Sequence, residues 1–217
     1  MNYDDTVIYA NQKAQEESWI LIQDTAWQGY EKVPLDIMQG YFTLLTECMK
    51  EEPTIWPTHV FVQAGVGSLA AAILAQLSNL SDRPVPKFIV VEAYGAPCLF
   101  ESKRQNKLSQ VEGDLPTIMA GLACGKPSQT AWEILNSAAS AFIACDDDVA
   151  RRGMRVLGNP LTDDQSIISG ESGSVTLGVL FEIMSNKVFG KIKDDLNLNA
   201  DSTVLLFSTE GDTDPDV

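Results

Sequence analysis

Positive charge is scarce in this chain: fifteen Lys and Arg stand against thirty Asp and Glu among 217 residues, a formal net charge of −15. A field of that sign repels phosphate backbones and anionic lipid, so neither nucleic acid nor a membrane surface is an expected partner. Histidine is rarer still. His59 alone, with Cys48, Cys98, Cys124 and Cys145 scattered outside any CxxC pair, is too little for a zinc or haem centre, and four reduced thiols are expected. Fifteen glycines and ten prolines are too few for a collagen-like or low-complexity chain. No apolar run reaches the roughly 18 residues of a membrane span, and the longest, SLAAAILAQL, suits a buried helix. The opening MNYDDTVIYANQKAQ lacks a basic start and an apolar core, so the sequence predicts no secretory signal and a cytoplasmic location.

What is present is a globular composition, 45% apolar and 21% charged. At roughly 150 residues per domain the length corresponds to about one and a half domains. The pattern alternates helix and strand. Asp4 and Asp5 open an amphipathic helix to about Glu17, followed by WILI at 19–22, read as a strand, and the loop QDTAWQGYEKV. Pro34 begins a helical run. THVFVQ, KFIVVEA, FIAC and STVLLF read as further strands, and SLAAAILAQLSNL, QTAWEILNSAAS (capped by Ser128), DDDVARRGMRVLG and SGSVTLGVLFEIMSN as helices, with TIMAGLACG a short one. Apolar strands separated by helices predict an α/β fold, a mostly parallel sheet with helices on both faces. Ligands then bind beyond the carboxyl ends of the strands, which selects the loops after WILI, VFVQ, FIVVE and VLLF.

The loop after VFVQ carries Ala64, Gly65, Val66, Gly67 and Ser68 straight into a helix, so main-chain N–H groups converge at a helix N-terminus where an anion is favoured. The glycines there are expected to keep side chains out of a phosphate's path. Gly65-x-Gly67-x-x-Ala70 also satisfies a dinucleotide fingerprint, and Glu92 ends the next strand where a ribose-binding acid is wanted. An NAD-type oxidoreductase domain is therefore one reading of the loop, and a tight turn without a ligand is another.

Seven segments in order, QDTAWQGYEKVP, PLDIMQGY, THVFVQAGVGS, TIMAGLACGKP, RRGMRVLGNP, ISGESGSVTLG and STEGDTD, resemble the 2,3-diaminopropionate ammonia-lyase family. These are pyridoxal 5'-phosphate enzymes of the tryptophan-synthase β-like class, fold type II. The resemblance implies α,β-elimination from a small amino acid, 2,3-diaminopropionate, giving pyruvate and ammonia, in a homodimer. Gly65, Val66, Gly67 and Ser68 would form the phosphate cup. Ser208 resembles the hydroxyl residue that meets the pyridine nitrogen, although a strand-end turn serine explains it equally well. Glu171 would sit near the ring, or act as an acid in the first turn of its helix. Asp24 in QDTAW resembles the family's active-site aspartate, which serves one substrate enantiomer while a second, upstream carboxylate serves the other. Its alternative role is an Asx-turn organiser of the loop. Cys98 and Cys124 resemble the paired cysteines of some members.

The class also uses a Schiff-base lysine within a short Ser/Phe-Lys-Arg-type segment, and none of this chain's ten lysines stands in such a context. The chain therefore reads as roughly the C-terminal half of the enzyme, inactive without the missing N-terminal half. Residues 1–54 would be the remainder of the small domain with its connecting helix, and 55–217 the large cofactor-binding domain. A non-catalytic fragment is the remaining reading.

Overall fold

Continuous apolar runs build the sheet. β1 (His59–Gln63) is buried at every position and β2 (Lys87–Ala93) at all but its first. Such runs survive only between two helical layers. β3 (Ala141–Cys145) and β4 (Val204–Leu206) complete it in the order β3-β2-β1-β4, every pairing parallel, with Phe61 opposite Ile89 on one side and Leu206 on the other. The computed structural model describes residues 2–80 and 83–211. Met1 and the last three residues of STEGDTD lie outside the described residues.

The helices are α1 (Tyr3–Glu16), α2 (Lys32–Glu51), α3 (Ser68–Asn79), α4 (Cys98–Gln105), α5 (Gln129–Ala138), α6 (Asp147–Gly158), α7 (Glu171–Ser185) and α8 (Gly190–Leu196). One core layer joins Leu45 of α2, Ile73, Leu74 and Leu77 of α3 and Leu135 of α5 to Phe88 and Val90 of the sheet. The other joins Phe61, Ile89 and Val91 to Val175 and Val179 of α7. Phe61 and Phe88 are fully buried, which stabilises the fold by about 1.5–3 kcal/mol each. α1 begins with a capping box, Asn2 accepting from the Asp5 amide at 2.9 Å while Asp5 accepts from the Asn2 amide.

Three expectations are corrected here. WILI is not a strand: Trp19, Ile20 and Ile22 are 66%, 84% and 72% exposed, and no described strand pairs with them, so apolar content alone does not make a ladder. TIMAGLACG contributes only a three-residue 3₁₀ turn, Ala120–Leu122. Ser128 occupies the N-cap of α5, but its hydroxyl accepts from Ala26 N at 3.0 Å instead of capping the helix. Two short helices, α4 and α8, carry too few residues for a periodic signal and were not expected.

α6 and α7 meet through glycine. A Cβ at Gly153 would overlap the main-chain carbonyl of Ser174, and one at Gly178 the main-chain carbonyl of Val149. Gly153→Ala is therefore expected to destabilise the fold by about 3 kcal/mol or more, lowering the melting temperature by roughly 10 °C. Gly158→Ala, with open space around it, is the control that should melt like the wild type.

Candidate active site

The strand order reverses beside β1, since β2 and β3 lie on one side and β4 on the other. A crevice opens at such a switch point. Here it is a cleft of about 380 Å³ whose walls are the Gly65–Ser68 loop after β1, the Ala120–Leu122 turn with Cys124, the start of α7 at Ser172, and Thr209 and Glu210 after β4, with Asp24, Tyr3 and Gln63 at its rim and floor. A neighbouring hollow of about 490 Å³ lies between α1 and residues 110–113, shares Tyr3 with the cleft and lacks any of the glycine loop.

The glycine loop is held from behind. Gly67, at φ +97°, is the N-cap of α3 and offers no side chain to cap it, so among the described residues no side chain caps the first amides of α3, whose residues Ser68, Leu69 and Ala70 line the cleft. Ser128 N donates to Val66 O at 2.9 Å, tying the loop to α5. The glycines serve packing rather than ligand access: a Cβ at Gly65 would meet Cys124 Sγ at 2.8 Å, and one at Gly67 would face Leu99, Leu135 and Ala131. The expectation that they clear a path for phosphate is corrected accordingly. The opposite wall is fixed by Asp147 of α6, which accepts from Thr117 Oγ1 at 2.6 Å and Ile118 N at 3.2 Å just ahead of the Ala120–Leu122 turn.

Asp24 lies in a loop rather than at a strand end, and is brought to the cleft by hydrogen bonds. Its carbonyl accepts from Ser68 Oγ at 2.7 Å and its carboxylate from Tyr41 OH at 3.2 Å, while Ala26 is clamped by Ser128 Oγ and Gln129 N. Burial raises Asp24 above the ordinary aspartate value, opposed by the Tyr41 hydroxyl. Tyr41 itself is pushed up to about 12 by burial and by Asp24, so it stays a donor.

The acid at the start of α7 is Glu210. Its Oε2 accepts from Ser172 N at 2.5 Å and Gly173 N at 3.3 Å, the anion a helix N-terminus favours. Glu171 stands in that first turn but does not line the cleft. Ser208 donates to Ser169 Oγ at 2.8 Å, and it is Thr209 and Glu210 that line the cleft. Two buried polar atoms on the lining, Gln63 Oε1 and Ser172 Oγ, have no partner among the described residues. Glu210, Gln63, Ser172 and Tyr41 went unseen in the sequence. Glu210 alone had a signal there, an acid two residues after Ser208 in STEG.

The dinucleotide reading fails at Glu92. Its carboxylate is wholly buried and accepts from Leu99 N at 2.8 Å and Phe100 N at 2.6 Å at the start of α4, so no ribose can reach it. His59 is likewise structural, bonded through its ring to Thr58 and Leu196 O. Cys98 and Cys124 are free thiols, and among the described residues no lysine lines the cleft.

The pyridoxal-phosphate dependent enzyme family matches residues 1–209. The chain belongs to this family. It is 49% identical over 216 residues to diaminopropionate ammonia-lyase of Escherichia coli (strain K12), covering 99% of this chain and 54% of that protein. It is 44% identical over 223 residues to diaminopropionate ammonia-lyase of Salmonella typhimurium (strain LT2), covering 100% of this chain and 55% of that protein. The crystal structure of the E. coli diaminopropionate ammonia lyase in complex with an aminoacrylate–PLP azomethine reaction intermediate superposes with a TM-score of 0.92 at 47% identity, over 99% of this chain and 55% of that one. The chain spans about half the length of the curated relatives it matches. Membership of the family agrees with the parallel sheet and its cleft, and leaves the dinucleotide reading without support.

Proposed function

We propose that this chain holds pyridoxal 5'-phosphate in the cleft and serves the α,β-elimination of 2,3-diaminopropionate to pyruvate and ammonia, a carbon–nitrogen lyase reaction. The observation that carries the reading is the pairing, in one cleft, of α3 amides that no side chain caps with two buried polar atoms, Gln63 Oε1 and Ser172 Oγ, that have no partner among the described residues. Such groups cost about 1–3 kcal/mol each when unpaired, and an anionic, polar-edged ring compound satisfies them together. The residues present therefore fit the cofactor. Gly65, Val66, Gly67 and Ser68 would receive its phosphate through main-chain amides, with Ser172 and Thr209 nearest its polar edge and Ser208 and Glu171 behind them. Bound pyridoxal phosphate supplies an electron sink for carbanion chemistry.

Asp24 then has the proton-transfer role. Raised by burial and steered by Tyr41, its carboxylate is closer to working pH than an ordinary aspartate, which suits a group that must both take and return a proton. Residues 1–54 are in this reading the remainder of a smaller domain and 55–217 the cofactor-binding one. The lysine that anchors the cofactor comes from the part of the relatives' length that this chain does not span, and the exposed Trp19, Ile20 and Ile22 beside Asp24 offer that part an apolar surface. A dimeric, cytoplasmic enzyme completes the proposal.

The test has two readouts. Titration with pyridoxal phosphate, followed by absorbance, should show saturable binding to the 217-residue chain. Pyruvate, followed through coupled lactate dehydrogenase, should appear from 2,3-diaminopropionate once the rest of the E. coli relative is supplied in trans, and not before. Absence of binding would overturn the cofactor reading, and pyruvate from the chain alone would overturn the need for a second part.

A further inference from the structure

The WILI run at residues 19–22 is used neither by the sheet nor by the proposed chemistry. Its main chain is paired along one side only. Trp19 N donates to Ala14 O at 2.8 Å, and the Tyr30 hydroxyl donates to Leu21 O at 2.9 Å and accepts from Gln23 N at 3.2 Å. Groups of residues 21 and 23 thus face the same side, the alternation of an extended chain. Ile20 and Ile22 face the other way, and there their N–H and C=O groups have no partner among the described residues, as at the edge of a sheet. The side chains alternate too. Exposed Ile20 and Ile22 share one face, and exposed Trp19 shares the other with half-buried Leu21. Apolar residues on both faces suit a strand inside a sheet that helices cover on both sides.

We propose that residues 19–23 are a docking strand, whose free edge at Ile20 and Ile22 pairs with an edge strand of an α/β unit from the part of the relatives' length that this chain does not span. The chain covers 54% of the E. coli diaminopropionate ammonia-lyase, so the remainder is long enough to form such a unit. A second copy of this chain fits less well. Two WILI runs pairing with each other make a two-stranded ribbon with both apolar faces bare, which is marginal in water. An α/β unit brings the neighbouring strand together with helices for both faces.

Docking also bears on the acid next in sequence. Asp24 follows Gln23 directly, and a slip of one residue in the pairing would exchange the faces of the segment, so the register is strict. Pairing therefore fixes the chain on one side of Asp24, while Ser68 and Tyr41 hold Asp24 itself from the cleft side.

The inference rests on the proposal that a second part completes the enzyme, and the test keeps the two apart. The full chain is co-produced with the uncovered part of the E. coli relative, and amide hydrogen exchange is followed in the complex and in the chain alone. In the chain alone the Ile20 and Ile22 amides should exchange freely, and in the complex at least about 100-fold more slowly. Ile22→Pro removes a donor from the free edge and should weaken the complex about 10- to 100-fold. Ile22→Thr keeps that donor and the β-branch and should bind more nearly like the wild type. Ile22 is exposed, so both variants should melt like the wild type on their own. A complex in which the two amides stay unprotected, or which Ile22→Pro forms as tightly as Ile22→Thr, would overturn the docking strand and leave the two-part enzyme standing. Dimers of the chain alone that protect these amides and are lost in Ile22→Pro would assign the edge to a second copy and overturn the proposal. Absence of any complex would overturn it too, while pyridoxal phosphate titration of the chain alone still decides the cofactor cleft, which this segment does not line. Should Ile22→Pro fold poorly, exchange of the wild-type amides decides by itself.

Discussion

A carboxylate introduced by Gly121→Asp is expected to abolish cofactor binding while leaving the fold intact. Gly121 lines the cleft, and a Cβ there would meet only Ser172, its Oγ at 3.2 Å, so the position accepts a side chain where Gly65 and Gly67 do not. The Gly121 carbonyl packs against Gly65, which puts the introduced carboxylate close to the amide cup. At a separation of about 6 Å and an effective dielectric of about 20, each unit of like charge costs close to 3 kcal/mol, roughly 100-fold in affinity. Absorbance titration with pyridoxal phosphate is the measurement, circular dichroism the check on folding, and Gly121→Ala the control for bulk. A Gly121→Asp variant that binds like Gly121→Ala would remove the anion from this wall of the cleft.

The second large effect belongs to Asp24. In any assembly of this chain that turns over 2,3-diaminopropionate, Asp24→Asn should lower kcat by about 10²- to 10⁴-fold, the usual loss with a general acid or base. The asparagine keeps the Ser68 bond to its carbonyl and can still accept from Tyr41, so the loop stays where it is. Tyr41→Phe gives the finer test. The Tyr41 hydroxyl favours the charged carboxylate, so losing it moves the Asp24 pKa further up, and the acid limb of the pH–rate profile should move up with it. A limb that moves down, or an Asp24→Asn enzyme of near-normal kcat, would take Asp24 out of proton transfer. Loss restricted to one substrate enantiomer would mark a division of labour with a second carboxylate.

Much of the fold was legible because its signals are local. VFV and FIVV have no polar face, which leaves a buried parallel strand as the economical reading, and the GVGS turn between strand and helix pointed to the cup. WILI shows where local reasoning stops. Its apolar run has the content of a strand, but a strand exists only through a neighbour, and in the described residues those side chains meet solvent. The site was half legible for the same reason. Asp24 and the glycine loop announce themselves, whereas Glu210 and Ser172 are 38 residues apart and meet only because β4 lies beside β1 in front of α7. Glu92 carried a false signal: an acid at a strand end suits a ribose, and only its complete burial against α4 shows it serving the protein's own main chain.

The glycine contact between α6 and α7 also governs how the cleft can deform. Two helices whose main chains meet at Gly153 and Gly178, and which are further tied by the Arg152–Glu182 ion pair, are expected to move as one lever rather than sliding past each other. The start of α7 beside that contact carries Ser172 on one wall of the cleft, and the start of α6 carries Asp147, which grips the Thr117–Ile118 segment of the opposite wall. The two walls are thus joined through one close-packed helix pair and are expected to shift together. The Asp24 loop on the facing side is held only by hydrogen bonds to Ser68, Tyr41, Ser128 and Gln129, so any closure about a ligand is expected in that loop and not in the α6–α7 pair.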